Sequence, residues 1–240
     1  MMHFIAILFF LMAFVANAAG VTSAEVPDTM TERVKACTIC HGDEDRVSQD
    51  IYYPRIAGKP EGYLFNQLRN FRDGRRYYEP MAMLLENMSD EYMLEIARYF
   101  ASLQLPYPPP EQISMKPAEV KLAEDLIHSG DSKRDIPACR ACHGHTLMGR
   151  EPFIPGLLGL SRTYITAQLG GWRNGGLMRG QVADCMSEIA KRLTDEETNA
   201  LAKWLATQPV LGKSDLANGL SLDLMHRCSS LVMENGGAIK

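Results

Sequence analysis

The sequence predicts an all-α protein made of two copies of one helical unit. Three observations predict it. Cys37-Thr38-Ile39-Cys40-His41 returns as Cys139-Arg140-Ala141-Cys142-His143. The segments that follow the two motifs match each other in order. Apolar residues recur at helical spacing, and no stretch alternates as a β-strand should.

The match runs well past the motifs. PRIAGKPEGYLFNQLRNFRDGRR from Pro54 pairs with PGLLGLSRTYITAQLGGWRNGG from Pro155 at a constant offset of 101. Tyr63 thereby matches Tyr164, Gln67 matches Gln168, Arg72 matches Arg173 and Gly74 matches Gly175. A further block, SDEYMLEIARYFASL from Ser89, pairs with TDEETNALAKWLATQ from Thr194 at an offset of 105. Three ordered blocks mark an internal duplication of a unit of roughly 80–100 residues. The proline-rich stretch LQLPYPPPEQ at 103–112 separates the copies, because it cannot continue a helix. The expected organisation is a leader at 1–18, one unit at 19–108, a second at 109–210 and a tail at 211–240.

The elements follow in order. A short helix is expected over 31–40, running into the first motif. Pro60 suits a first helical position, and a helix is expected from there to Arg72. Ser89 caps a helix over 90–103, with Asp90 and Glu91 in its first turn. Met93, Ile96, Ala97, Phe100 and Leu103 give that helix an apolar face. Pro117 opens a helix through His128. Ser161 caps one reaching Arg173. Thr194 and Glu197 have capping-box spacing before a helix to Thr207.

Composition narrows the function. Formal net charge is -4, and no basic stripe of the nucleic-acid-binding kind is present. The apolar run MHFIAILFFLMAFVANAAG ends in small residues, and Ala16-Asn17-Ala18 fits a signal-peptidase site. Export to the periplasm is expected, with peripheral membrane association left open. An exported chain meets an oxidising compartment.

Cys-x-x-Cys-His is the attachment signature of c-type haem. Two spacer residues let one helical turn present both sulfurs to the porphyrin edge, and the adjacent His gives a nitrogen to the iron. Cys37 and Cys40 would hold one haem and Cys139 and Cys142 the other, with His41 and His143 as proximal ligands. Zinc sites, thioredoxin-like motifs and structural disulfides also use such pairs, but none asks for the histidine in both copies. A haem would also complete the core of a unit this small.

The sixth ligand is sought in the register shared by both copies. Met81 stands eight residues before Ser89, and Met186 eight before Thr194. Pro54 and Pro155 are candidates to accept a hydrogen bond from the proximal rings through their carbonyls. Arg72 and Arg173 are candidates to face haem propionates, with a solvated helix face as the rival reading. Tyr63, Tyr164, Phe71 and Trp172 read as pocket or core aromatics, and His145 as a surface residue or a propionate partner.

With these residues, the chain resembles the class I cytochrome c superfamily and, within it, the dihaem cytochrome c4 type. GxxxxYLxxQLxxFRxGxR, the methionine and SDE…ARYF carry the resemblance, over residues 31–207. It implies two tandem cytochrome c domains, two covalently bound haems, and Met81 and Met186 as axial ligands. It also implies single-electron transfer between redox partners of a respiratory chain: a terminal oxidase, a quinol-linked complex or a dehydrogenase. Two departures stand out. Cys185 directly precedes Met186, and Cys228 lies in the tail. They are expected to pair in a disulfide, the rival being a buried thiol at Cys185. Competing functions are the haem subunit of a larger dehydrogenase of the sulfide- or alcohol-oxidising kind, and a dihaem enzyme acting as a peroxidase or on thiosulfate.

Overall fold

The structure, a computed structural model, describes residues 26–43, 52–177 and 185–211. Its elements in chain order are α1 (Met30–Arg33), α2 (Lys35–His41), α3 (Glu61–Arg72), α4 (Glu79–Leu85) and α5 (Asp90–Ser102) in the first half. The second half holds α6 (Pro117–His128), a 3-10 turn (Ser132–Arg134), α7 (Cys139–His143), β1 (Gly149–Arg150), β2 (Ile154–Pro155), α8 (Arg162–Arg173), α9 (Cys185–Arg192) and α10 (Asp195–Thr207). The duplication is visible in the elements themselves: α8 repeats α3 at the sequence offset of 101, and α10 repeats α5 at 105.

The helix starts obey local chemistry. Ser89 Oγ accepts from the Tyr92 amide at 3.2 Å, and Ser161 Oγ accepts from the Tyr164 amide at 3.0 Å. Thr194 and Glu197 close a reciprocal box: Thr194 Oγ1 accepts from the Glu197 amide, and the Glu197 carboxylate accepts from the Thr194 amide. Both motif helices stop immediately after their histidine at Gly42 and Gly144, with φ of 85° and 87°. That backbone is open to glycine and strained for other residues, so each helix ends where the histidine must leave it.

Each half has its own core. In the first, α3 packs on α4 and α5 around Val34, Phe65, Met93, Ala97 and Phe100. In the second, α10 packs on α6 and α8, and α8 on α9, around Ala123, Ile127, Leu147, Leu201 and Leu205. Glu197 of α10 is buried and paired with Arg134, whose hydrogen bonds hold its carboxyl below the usual carboxylate range.

Three sequence expectations change. The helix expected over 31–40 is broken at Val34, a fully buried residue that turns the chain between α1 and α2. Two short helices, α4 and α9, carry the candidate methionines and lacked a long apolar period to announce them. A two-residue hairpin, β1 with β2, sits behind the second motif, too short for any alternation to register.

The halves are joined by more than the linker. The Tyr63 amide donates to the Pro152 carbonyl at 3.1 Å, and Lys59 Nζ donates to the Gly156 carbonyl at 2.6 Å. Gly62 of α3 lies under Phe153: an added Cβ would stand 2.5 Å from that ring and 2.8 Å from the Pro152 carbonyl. Gly170 of α8, by contrast, has nothing within 4 Å of its Cβ direction. The two alanine substitutions should therefore have opposite signs. Gly62→Ala is expected to cost about 1–3 kcal/mol through overpacking. Gly170→Ala should stabilise by up to about 1 kcal/mol, the helix preference alone. Denaturant midpoints of the two variants decide it; equal shifts would contradict the packing described.

Candidate cofactor site

Both motif helices are anchored by one hydrogen bond each. His41 Nδ1–H donates to the Pro54 carbonyl at 2.8 Å, and His143 Nδ1–H donates to the Pro155 carbonyl at 2.8 Å. A carbonyl only accepts, so the bond fixes the proton on Nδ1 and leaves the Nε2 lone pair for another partner. Burial pushes both imidazoles below the usual histidine range, opposed by the carbonyl bond. The nearby Arg76 charge adds to the depression at His41, and Lys59 does so at His143. Both rings are therefore neutral donors of a lone pair at neutral pH.

The two rings open onto one continuous cavity of about 950 Å³. Cys37, Cys40 and Met81 line it in the first half; Cys139, Cys142 and Met186 line it in the second. The four motif cysteines are in no disulfide. Burial pushes the Cys37 thiol upward and the Cys139 thiol up to about 11, so both are neutral thiols. Met81 packs on the first core and Met186 on the second, each brought there by its short helix. The rest of the wall is largely apolar, with Phe71, Phe100, Trp172 and Leu201 among its members.

Buried polar side chains also line the cavity. Arg76 is buried at 8% exposure and spans the two halves. It donates to Gln67 at 2.6 Å, to Gln168 at 2.7 Å and to the Tyr164 hydroxyl at 3.3 Å. Lys59, also 8% exposed, donates to the Gly156 carbonyl of the second half at 2.6 Å. Burial, with the Arg55 charge beside it, pushes the Lys59 ammonium down to about 7. Tyr63 is held above the usual phenol range by burial and by the neighbouring Tyr164.

Arg72 and Arg173 are not part of this wall. Arg72 donates to the Met88 carbonyl and to Asp90, tying α3 to the start of α5. Arg173 donates to the Ala190 and Leu193 carbonyls and to Thr198, and pairs with Asp195. Their donors bond helix ends, which makes each a helix staple. His145 is a surface residue hydrogen-bonded to Arg140. Cys185 lines the cavity and is disulfide-bonded. Its expected partner, Cys228, lies outside the described residues, as do the leader and all of the tail beyond Leu211.

Comparison with known proteins rests on this geometry. A scan against protein-family models found no match. The chain is 37% identical over 175 residues to a thiosulfate dehydrogenase electron acceptor of Thiomonas intermedia, covering 73% of this chain and 79% of that one. It is 31% identical over 194 residues to a cytochrome c4 of Pseudomonas aeruginosa, covering 79% of this chain and 90% of that one. The chain belongs to the dihaem cytochrome c4 family. The crystal structure of reduced cytochrome c4 from Pseudomonas stutzeri superposes with a TM-score of 0.63 at 27% identity, covering 73% of this chain and 94% of that one.

As a cytochrome c4-type protein, the chain carries two covalently bound c-type haems and serves electron transfer. The residues present fit that cofactor. The cavity is near the top of the roughly 300–1,000 Å³ range of ligand sites and its wall is largely apolar. Each half offers two thiols, one imidazole lone pair and one thioether, a donor set suited to a c-type centre. One consequence concerns thiols. Two covalent haems would commit four of the six cysteines to thioethers, and Cys185 is in a disulfide. The haem-loaded, denatured and unreduced protein should thus show no free thiol to a thiol reagent, and about two after reduction. A free thiol before reduction would overturn the disulfide.

Proposed function

We propose that this cytochrome moves single electrons between redox partners of a respiratory chain in the periplasm. In this reading Cys37 and Cys40 attach the first haem, with His41 and Met81 as its axial ligands. Cys139 and Cys142 attach the second, with His143 and Met186. When bound, each haem supplies one ferric/ferrous couple. The protein's part is to hold ligands still: Pro54 and Pro155 orient the two imidazoles and raise their basicity. Methionine favours the ferrous form relative to a second histidine, and the buried apolar wall does the same. Units at 19–108 and 109–210 would each hold one centre, as the separate cores support.

The observation that carries the reading is the single cavity lined by both Cys-Cys-His-Met sets. A shared cavity places two centres within one molecule's reach, which suits passage from a donor at one end to an acceptor at the other. The relative named as a thiosulfate dehydrogenase electron acceptor supports a dehydrogenase as donor, thiosulfate dehydrogenase being the first to try. A quinol-linked complex is the alternative donor, and a terminal oxidase stands at the other end. The disulfide at Cys185 fits an oxidising compartment. No helix among the described residues is long and apolar enough to cross a membrane.

The ligand assignment is tested by substitution at the methionines. Met81→Ala should remove about half of the weak far-red absorption that a thioether sulfur gives on ferric iron, and Met186→Ala the other half. Each variant should also gain a high-spin component and lose reduction potential at one centre only. Undiminished far-red absorption in either variant would remove that methionine from the iron.

A further inference from the structure

The two halves share their ligand sets but not their charges. Six cationic side chains line the cavity: Arg33, Arg55, Lys59, Arg69, Arg75 and Arg76. All come from the first half. Among the described residues, the second half contributes no charged side chain to the wall apart from its histidine, and no carboxylate lines the cavity at all. At the sequence offset of 101, Lys59 corresponds to Leu160 and Arg76 to Leu177, so neither cation is repeated in that register.

Arg33, Arg69 and Arg75 are already paired with Asp28, Asp90 and Asp73. The other three are not: Arg55 bonds the Leu105 and Pro106 carbonyls beside the linker, and the partners of Lys59 and Arg76 are a carbonyl, two amides and a phenol. Buried cations with only neutral partners are costly unless an anion compensates them. Arginine cannot escape by losing its proton. Both side chains also reach over the boundary between halves. Lys59 bonds Gly156, next to the proline that holds His143, and Arg76 bonds Gln67 of its own half and Gln168 of the other. Each haem brings carboxylate side chains, and among its described residues the second half lines the cavity with no arginine or lysine to meet them.

We propose that Lys59 and Arg76 form one anion seat, supplied wholly by the first half and shared by the carboxylates of both haems. The second haem takes its charge compensation from its neighbour's unit. A fixed positive charge favours the ferrous over the ferric iron, so the seat raises the potential of both centres together and couples them.

The inference rests on the haems occupying the cavity with His41 and His143 on the irons. It is tested on the full haem-loaded protein by redox titration, with the haem methyl proton resonances reporting each centre separately. Arg76→Gln should lower the ferrous-to-ferric ratio of both haems at a fixed ambient potential, by about tenfold each, which is 59 mV for one electron. Arg76→Lys keeps the charge and should leave both within about threefold. A shift in one haem only, no shift in either, or equal shifts in the two variants would overturn the shared seat. Lys59→Gln asks the same question independently and decides it if Arg76→Gln does not accumulate: a shift in both haems supports the seat, and a shift in one or none overturns it. Loss of the low-spin spectrum would instead point to failure of the ligand assignment, a separate outcome visible before any titration.

Discussion

One hydrogen bond, made twice, organises this molecule. In each half a proline carbonyl takes the Nδ1 proton of the motif histidine at 2.8 Å. The bond closes a loop of a dozen or so residues between the motif helix and the helix that follows. It turns the imidazole so that its remaining lone pair serves the cavity. Without it the ring could rotate or exchange tautomers, and the donor set of Cys, Cys, His and Met would lose its fixed member. Proline suits the acceptor position because it adds no competing N–H of its own.

Much of this was legible because it is local or repeated. The motif spacing, the capping residues and the proline-rich break are short-range signals. Met81 and Met186, like Pro54 and Pro155, were found by holding the two copies against each other. That comparison has a blind side, since it ranks residues by having a partner. Arg72 and Arg173 are matched, which suggests a propionate contact or a solvated helix face, and they staple α3 to α5 and α8 to α9 and α10. Lys59 and Arg76 have leucine in the other copy, so matching the copies passes over them, yet both line the cavity. Shared residues report what both units need to fold and to hold a centre. Unshared ones report what two units do together, and that depends on a packing no spacing encodes.

The same contrast separates the helices. The long helices have apolar faces several turns deep, and their positions follow from periodicity. The short helices α4 and α9 have seven and eight residues, too few for a period to stand out. They exist because Met81 and Leu85 in one, and Met186 and Ala190 in the other, bury against cores built by distant segments. Tertiary packing rather than intrinsic preference makes elements of this length stable.

Two haems that share one cavity would exchange electrons inside the molecule. The most direct measurement follows the haem methyl resonances of the half-reduced protein across a dilution series. Intramolecular exchange predicts a rate between the two centres that stays constant as the protein is diluted. A rate that falls in proportion to protein concentration would mean that electrons pass between molecules instead, and that the shared cavity does not serve transfer.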